Sequence, residues 1–284
     1  MSTDPNATTP RPTGGLGITR FATRGGHRLS YESSGATDGI PVLGLHDLLA
    51  DRGQLRPLGD TLPQNRFRLT LPDARGHGAS PMISGRVYPA TDLAADTLAV
   101  LDAEGLTKVH IAAVGWGAAT ALGLALGASE RVASLMLAQP YLPALTGQAD
   151  SLETLRQAAD AAEKGQTDQA LDLYLGMRLG GDWRDRLPKA RQGAMRRAAG
   201  SLAPSLAGVI GASFDQAALA HLETRVTLLL PAGAPASEQE VASRLIELLA
   251  EAWVETLFVE DADPRAGQDW TPAICHALLA QSGM

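Results

Sequence analysis

One cysteine in 284 residues, Cys275, excludes an internal disulfide. No run of about 18 uninterrupted apolar residues occurs, because Gly, Pro and charges break the Ala/Leu-rich stretches every few positions, and no membrane span is expected. Positive charge is not in excess. The 24 Lys and Arg stand against 31 Asp and Glu, a net charge of -7 without the clustered cations that track a phosphate backbone, so nucleic acid is not an expected partner. The opening MSTDPNATTPRPTGG has no apolar centre of a signal peptide, which makes the cytoplasm the expected address. Also missing is any His/Cys/Asp/Glu spacing dense enough for a metal site, and no cofactor is expected.

What is present suits one large core. A chain that is 45% hydrophobic and 19% charged has globular composition at this length. Residues 1–17 offer almost nothing to bury and read as a flexible tail. FATR and RLSYES flank Gly25 and Gly26, a pair that permits the positive φ angles of a tight hairpin. The short apolar runs IPVLGL (40–45), FRLTL (67–71), KVHIAA (108–113), SLMLA (134–138), VTLLL (226–230) and ETLFV (255–259) have the character of parallel strands buried on both faces. Helical segments separate most of them. In TDLAADTLAVLDAEG, Thr91 is expected to be the N-cap, Leu93, Thr97, Leu98 and Leu101 share a stripe, and Gly105 suits the C-terminal cap. The pattern predicts an α/β fold with a mostly parallel, doubly wound sheet. Between Tyr141 and about Arg225 the strands stop and Ala-rich, arginine-dotted helical segments follow, which reads as an inserted cap. The expected division is a core of residues 18–140 and 226–284 with a helical cap over 141–225.

Three local motifs, in order and in register, resemble the α/β-hydrolase superfamily across residues 20–284. LGLHDLL (43–49) resembles the strand end and His-Gly that frame the oxyanion hole. LPDARGHGAS (71–80) resembles the Asp-x-Arg-Gly-His-Gly-x-Ser turn. Residues 92–140 resemble the helix, nucleophile strand, elbow, helix and following strand. The resemblance implies an α/β-hydrolase fold with a Gly-x-Ser-x-Gly nucleophile elbow. Here the five elbow residues are Ala113, Val114, Gly115, Trp116 and Gly117. Gly115 has no side chain to acylate, and glycine adopts the elbow conformation without the cost of about 1–3 kcal/mol that a serine bears.

The other two triad positions also depart from the family. After VTLLL the chain reads PAGAPASEQE, with no carboxylate before Glu238, and after ETLFV it reads EDADPRAGQDW, with Pro264 or a neighbour where the base belongs. No histidine lies between His221 and His276, and His276 falls in the last helix. Triad members act as a unit, so losing all three removes conventional hydrolysis. The oxyanion donors are expected to survive: the N–H of Trp116 and one near Asp47 or Leu48 would still hold a carbonyl or carboxylate.

Other constellations have bland alternatives. Gly115-Trp116-Gly117 resembles the start of a dinucleotide fingerprint, but Thr120 replaces the third glycine and Trp116 reads as a packing residue. Asp47 stands where the family has glycine; it either turns outward into water or faces the pocket as a base or hydrogen-bond acceptor. Asp73 and His77 belong to a structural turn. Asp261 and Asp263 read as solvated loop carboxylates or a new acid pair, and Cys275 as a buried, inert thiol. The expected pocket wall is His46, Asp47, Leu48, Gly115, Trp116 and Tyr141.

Three functions remain open. The first is a non-hydrolytic pocket protein, a binder of a small apolar or carbonyl-containing ligand or a cofactor-free lyase, isomerase or cyclase. The second is a structural or interaction subunit with a protein partner on the cap. The third is a hydrolase with a relocated acid/base set drawn from Asp47, Asp51, Asp261 or Asp263.

Overall fold

The computed structural model describes residues 17–83, 87–147, 149–259 and 270–282. The tail expected over 1–17 lies, except for Gly17, outside them, as do Asp261, Asp263 and Pro264.

The eight strands are β1 (Thr19–Arg24), β2 (His27–Gly35), β3 (Ile40–Leu45), β4 (Phe67–Pro72), β5 (Val109–Val114), β6 (Val132–Ala138), β7 (Arg225–Pro231) and β8 (Val254–Val259). They form one sheet in the order β1-β2-β4-β3-β5-β6-β7-β8. Strand β2 runs antiparallel to β1 and β4, and the other neighbours are parallel. The mostly parallel α/β sheet is thus the one the sequence predicts. Gly25 and Gly26 take φ angles of 57° and 80°, closing the β1–β2 hairpin with the twist that adjoining strands require.

The inner strands are uninterrupted apolar runs because both faces are covered. Leu43, Ile111, Leu135 and Leu228 face one cluster, against α2 (Ala90–Ala103), α3 (Gly117–Gly127) and α11 (Ala236–Leu248). Val42, Ala112, Met136 and Leu229 face the other, against α1 (Pro57–Thr61) and α12 (Thr271–Gln281). Each such buried aliphatic side chain contributes about 1.5–3 kcal/mol. Cys275 is buried on α12. Helix α2 starts a residue earlier than Thr91: Pro89 is the N-cap residue, and its carbonyl accepts from Asp92 and Leu93. Thr91 is therefore inside the first turn and not the cap. Gly105, at φ 66°, ends the helix as expected.

Between β6 and β7 lie α4 (Pro143–Thr146), α5 (Ala149–Glu163), α6 (Thr167–Leu179), α7 (Trp183–Arg186), α8 (Lys189–Ala198), α9 (Leu202–Ile210) and α10 (Gln216–Ala220). Their buried side chains, Leu155, Leu171, Leu175, Leu202 and Leu206 among them, close into one cluster with Leu48, Leu49, Leu93 and Trp116. The insertion is thereby packed onto the carboxyl ends of the central strands, over the turn that follows β5. Among the described residues no helix is long and apolar enough to cross a membrane.

Candidate functional site

Strand β5 turns into α3 through Gly115, whose φ is 53°, and Trp116. Gly115 N–H donates to the Ala138 carbonyl at 2.9 Å, and its own carbonyl accepts from Tyr141 N–H at 3.0 Å. A Cβ on Gly117 would come 2.7 Å from the Leu45 carbonyl, so glycine there lets α3 approach β3. The elbow persists as backbone.

The space that a side chain at Gly115 would need is taken by Asp47. A Cβ built on Gly115 would overlap all three carboxyl atoms of Asp47. One oxygen, Oδ1, accepts from Leu48 N–H at 2.8 Å and Trp116 N–H at 2.7 Å. These are the two donors expected to remain open for a ligand oxyanion. They are instead occupied by the chain's own carboxylate, in bonds of the charge-assisted kind. Of the two readings of Asp47, the one that turns it out into water does not hold, and the expectation of surviving open oxyanion donors is corrected: a ligand carbonyl finds no vacant hole here. The loop is held by Gln54 Oε1, which accepts from Asp47 N–H at 2.8 Å.

The second oxygen, Oδ2, stands 3.8 Å from an Arg178 guanidinium nitrogen, an ion pair too long for a hydrogen bond. Arg178, on α6, stacks over the Tyr141 ring at 4.0 Å, and Tyr174 meets Tyr141 edge-on at 6.3 Å. Burial pushes the Tyr141 phenol up to about 12, and the Asp47 charge adds to the effect. Burial likewise holds the Tyr174 phenol well above its ordinary range. Glu238, buried in the first turn of α11, accepts at Oε1 from the Gln139 amide at 2.7 Å. Burial pushes its carboxyl up while Gln139 and Arg178 pull it down.

Neither nearby histidine is poised to move a proton to this site. His46 Nε2 accepts from Ala74 N–H at 3.0 Å, so Nδ1 carries the proton and donates to the Asp47 carbonyl at 2.8 Å. His77 Nδ1 donates to the Arg75 carbonyl at 3.0 Å, and Nε2 accepts from Leu49 N–H at 3.3 Å. Burial lowers the His77 pKa to about 3, keeping the ring neutral. Ser201 Oγ lies 3.2 Å from His77 Nε2, a Ser-His pair that no local motif announces. Ser201 is 1% exposed and donates to the Ala198 carbonyl, while the other nitrogen of His77 has no carboxylate behind it. The arrangement is structural. Asp73 is structural too, taking Arg52 Nη1 at 2.5 Å, Ser30 Oγ at 2.7 Å and Ala79 N–H at 2.8 Å.

A cleft of about 860 Å³ opens between the strand ends and helices α6 and α8. Of the expected pocket wall, Asp47 and Leu48 line it, and Gly115 lies behind Asp47. His46 and Trp116 instead border a crevice of about 30 Å³, and Tyr141 borders a cavity of about 240 Å³ shared with Arg178 and Glu238. Sequence reasoning missed Arg178, Tyr174, Arg191 and Glu238. The available signal was Arg178 itself, a lone cation in the apolar LYLGMRLGG stretch of the insertion. Among the described residues no group of three or more His, Cys, Asp or Glu could hold a metal ion.

Residues 40–224 match the family model described as alpha/beta hydrolase fold. The putative carbamate hydrolase RutD of Variovorax paradoxus (strain S110) is 33% identical over 113 residues, 40% of this chain and 42% of that protein. The chain thus matches about two-fifths of the length of that curated relative. Among solved structures, an alpha/beta hydrolase from Sphaerobacter thermophilus is similar at a TM-score of 0.75 and 20% identity, over 93% of this chain and 100% of that one. A hydrolase from Pseudomonas aeruginosa gives 0.69 and 23%, over 95% and 100%. The enol-lactonase from Burkholderia xenovorans gives 0.72 and 18%, over 93% and 100%. At these identities the structures bear on fold.

Proposed function

The chain belongs to the α/β-hydrolase fold family, and from that premise we propose that it is a non-hydrolytic small-molecule pocket protein: a ligand binder, or an enzyme of the cofactor-free lyase, isomerase or cyclase kind. In this reading residues 141–225 are a cap over the cleft, and 18–140 with 226–284 the core. The observation that carries it is the Asp47 carboxylate, which sits where a nucleophile would project and holds both oxyanion donors. Acyl transfer needs those donors at the developing oxyanion, where losing one costs about 10²–10³ in rate. With Gly115 beneath it, the site has neither a hydroxyl to attack nor an empty hole to receive charge. The open 860 Å³ cleft favours a ligand over a filled, purely structural scaffold.

Asp47 offers the chemistry that remains. Its Oδ1 is pinned, while its Oδ2 faces Arg178 and can accept a proton or a ligand donor. The matched relatives are named hydrolases, so the competing reading is water activation by Asp47. A fluorophosphonate, which reports an activated serine, is expected to label no residue; against water activation by Asp47, p-nitrophenyl acetate is expected to hydrolyse no faster with the folded protein than with the Asp47→Asn variant. A labelled serine, or an ester hydrolysis that Asp47→Asn abolishes, would overturn the proposal.

A further inference from the structure

Among the described residues six buried side-chain polar atoms have no hydrogen-bond partner, and two of them, Tyr141 Oη and Glu238 Oε2, belong to residues that line one cavity. This cavity, of about 240 Å³, lies between the chain after β6, the end of α6 and the start of α11. It is separate from the 860 Å³ cleft, with Arg178 and Leu179 as the shared wall. A buried carboxylate oxygen is costly to leave unpaired. Glu238 is 9% exposed, and the Gln139 amide satisfies only its Oε1. Its place in the first turn of α11 favours the ionised form, against the burial that pushes its carboxyl up. The charges that act on Glu238 are those of Arg178 and Asp47. These two form an ion pair of their own, 3.8 Å apart, so the cation beside the cavity already has its anion. One guanidinium against two carboxylates leaves Glu238 as the acid in excess.

We infer that this cavity binds a small primary alkylammonium, whose nitrogen donates to Glu238 Oε2 and to Tyr141 Oη. An ammonium carries three donors and no acceptor, which suits two oxygens that both accept, and it brings the positive charge that the fixed groups leave unmatched. The Tyr141 phenol, pushed up to about 12 by burial, stays neutral and offers the lone pairs of Oη. Pro143, Met177, Leu179 and Val241 supply an apolar lining for a short hydrocarbon chain. The volume is that of about eight waters at about 30 Å³ each, which limits the ligand to roughly that many non-hydrogen atoms. Pro235 and Ser237, both exposed, are where the cavity meets solvent.

The test is a titration of the full-length protein with n-butylammonium chloride at about pH 8, followed by backbone amide NMR shifts. At that pH an alkylamine is still protonated and a carboxyl raised by burial is ionised. Saturable shifts are expected at Tyr141, Leu179 and Glu238, with the isosteric but uncharged 1-butanol binding about tenfold more weakly and butyrate not at all. Glu238→Gln keeps an acceptor for the Gln139 amide while removing the charge, and should raise the Kd about tenfold. Tyr141→Phe should raise it about threefold. Glu247→Gln, exposed near the other end of α11 beside Arg244, should leave it unchanged. Should Glu238→Gln lower the urea midpoint, Tyr141→Phe and the comparison of butylammonium with 1-butanol in the unaltered protein still decide. An absence of saturable shifts, equal binding of 1-butanol, shifts confined to residues of the larger cleft, or equal losses from Glu247→Gln and Glu238→Gln would overturn the inference. Labelling of a serine by fluorophosphonate would defeat the non-hydrolytic reading and leave this site standing, because the two spaces are tested by different ligands.

Discussion

Two turns at the carboxyl ends of neighbouring strands use one device to opposite ends. After β4, the Asp73 carboxylate fills the space beside Gly78, whose φ is 52°; after β3, the Asp47 carboxylate fills the space beside Gly115, whose φ is 53°. In each case a Cβ on the glycine would overlap the acid, and the acid binds backbone N–H groups. Asp73, 2% exposed, spends both oxygens on Arg52, Ser30 and the loop. Asp47 spends one and leaves the other toward a cleft and a distant arginine. The saturated acid holds the fold together, and the half-satisfied one is where the ligand of the proposed pocket would intervene.

The sharpest way to break this contrast is to remove each acid. Asp73→Ala removes one of the two carboxylates on the buried Arg52, leaving it Glu32 at 2.9 Å, and deprives the Arg52 and Ala79 N–H groups and the Ser30 hydroxyl of their acceptor, which together should cost about 3–5 kcal/mol, whereas Asp47→Ala leaves two N–H groups that water or an anion can reach and should cost about 1–3 kcal/mol. Urea unfolding measures both, and equal losses would mean that Asp47 is as structural as Asp73. Next in size is Gly115→Ser, which combines positive-φ strain with displacement of Asp47 and should cost about 2 kcal/mol or more. The pair Asp47→Gly with Gly115→Ser should lose less than the sum of the single variants by about 1 kcal/mol, the signature of residues in contact. Additive losses would show that the carboxylate does not occupy the serine's space. Smallest at neutral pH, and growing only as the solution is acidified, is the contribution of His77, which links the two turns through Leu49 N–H. Its folded pKa of about 3 lies below the unfolded value of 6.5, because burial disfavours the charged ring. The unfolded chain therefore takes up the proton first. Stability from the neutral ring is complete above pH 6.5 and falls as pH drops toward 3, with a slope of up to about 1.4 kcal/mol per pH unit. His77→Gln should flatten that slope; an unchanged slope would show that the ring is not the group responsible.

Strands β3 to β8 were legible because parallel strands buried on both faces must be continuous apolar runs, and the β1–β2 hairpin because two adjacent glycines announce its turn. The elbow was legible because Gly115 and Gly117 stand in a strand-to-helix context. The direction of Asp47 was not. An acid in place of the family glycine is visible in the sequence, but its partner Trp116 is 69 residues away and comes to it only through β3–β5 pairing. Arg178, Tyr174 and Glu238 come from helices on either side of β7, with no local pattern joining them. Thr91 misled because the helix starts one residue before it: Pro89, with extended backbone, is the N-cap residue, and no side chain caps this start.

The reciprocal fit of residues 47 and 115 also orders the substitutions by which this cleft could acquire a hydroxyl. Serine arriving first at 115 would meet an occupied volume. Glycine arriving first at 47 would empty the cradle, after which a hydroxymethyl group could enter without contest. Changes in this corner of the protein are therefore not interchangeable in time, and a library that varies position 115 alone samples a dead end that a library varying both positions escapes.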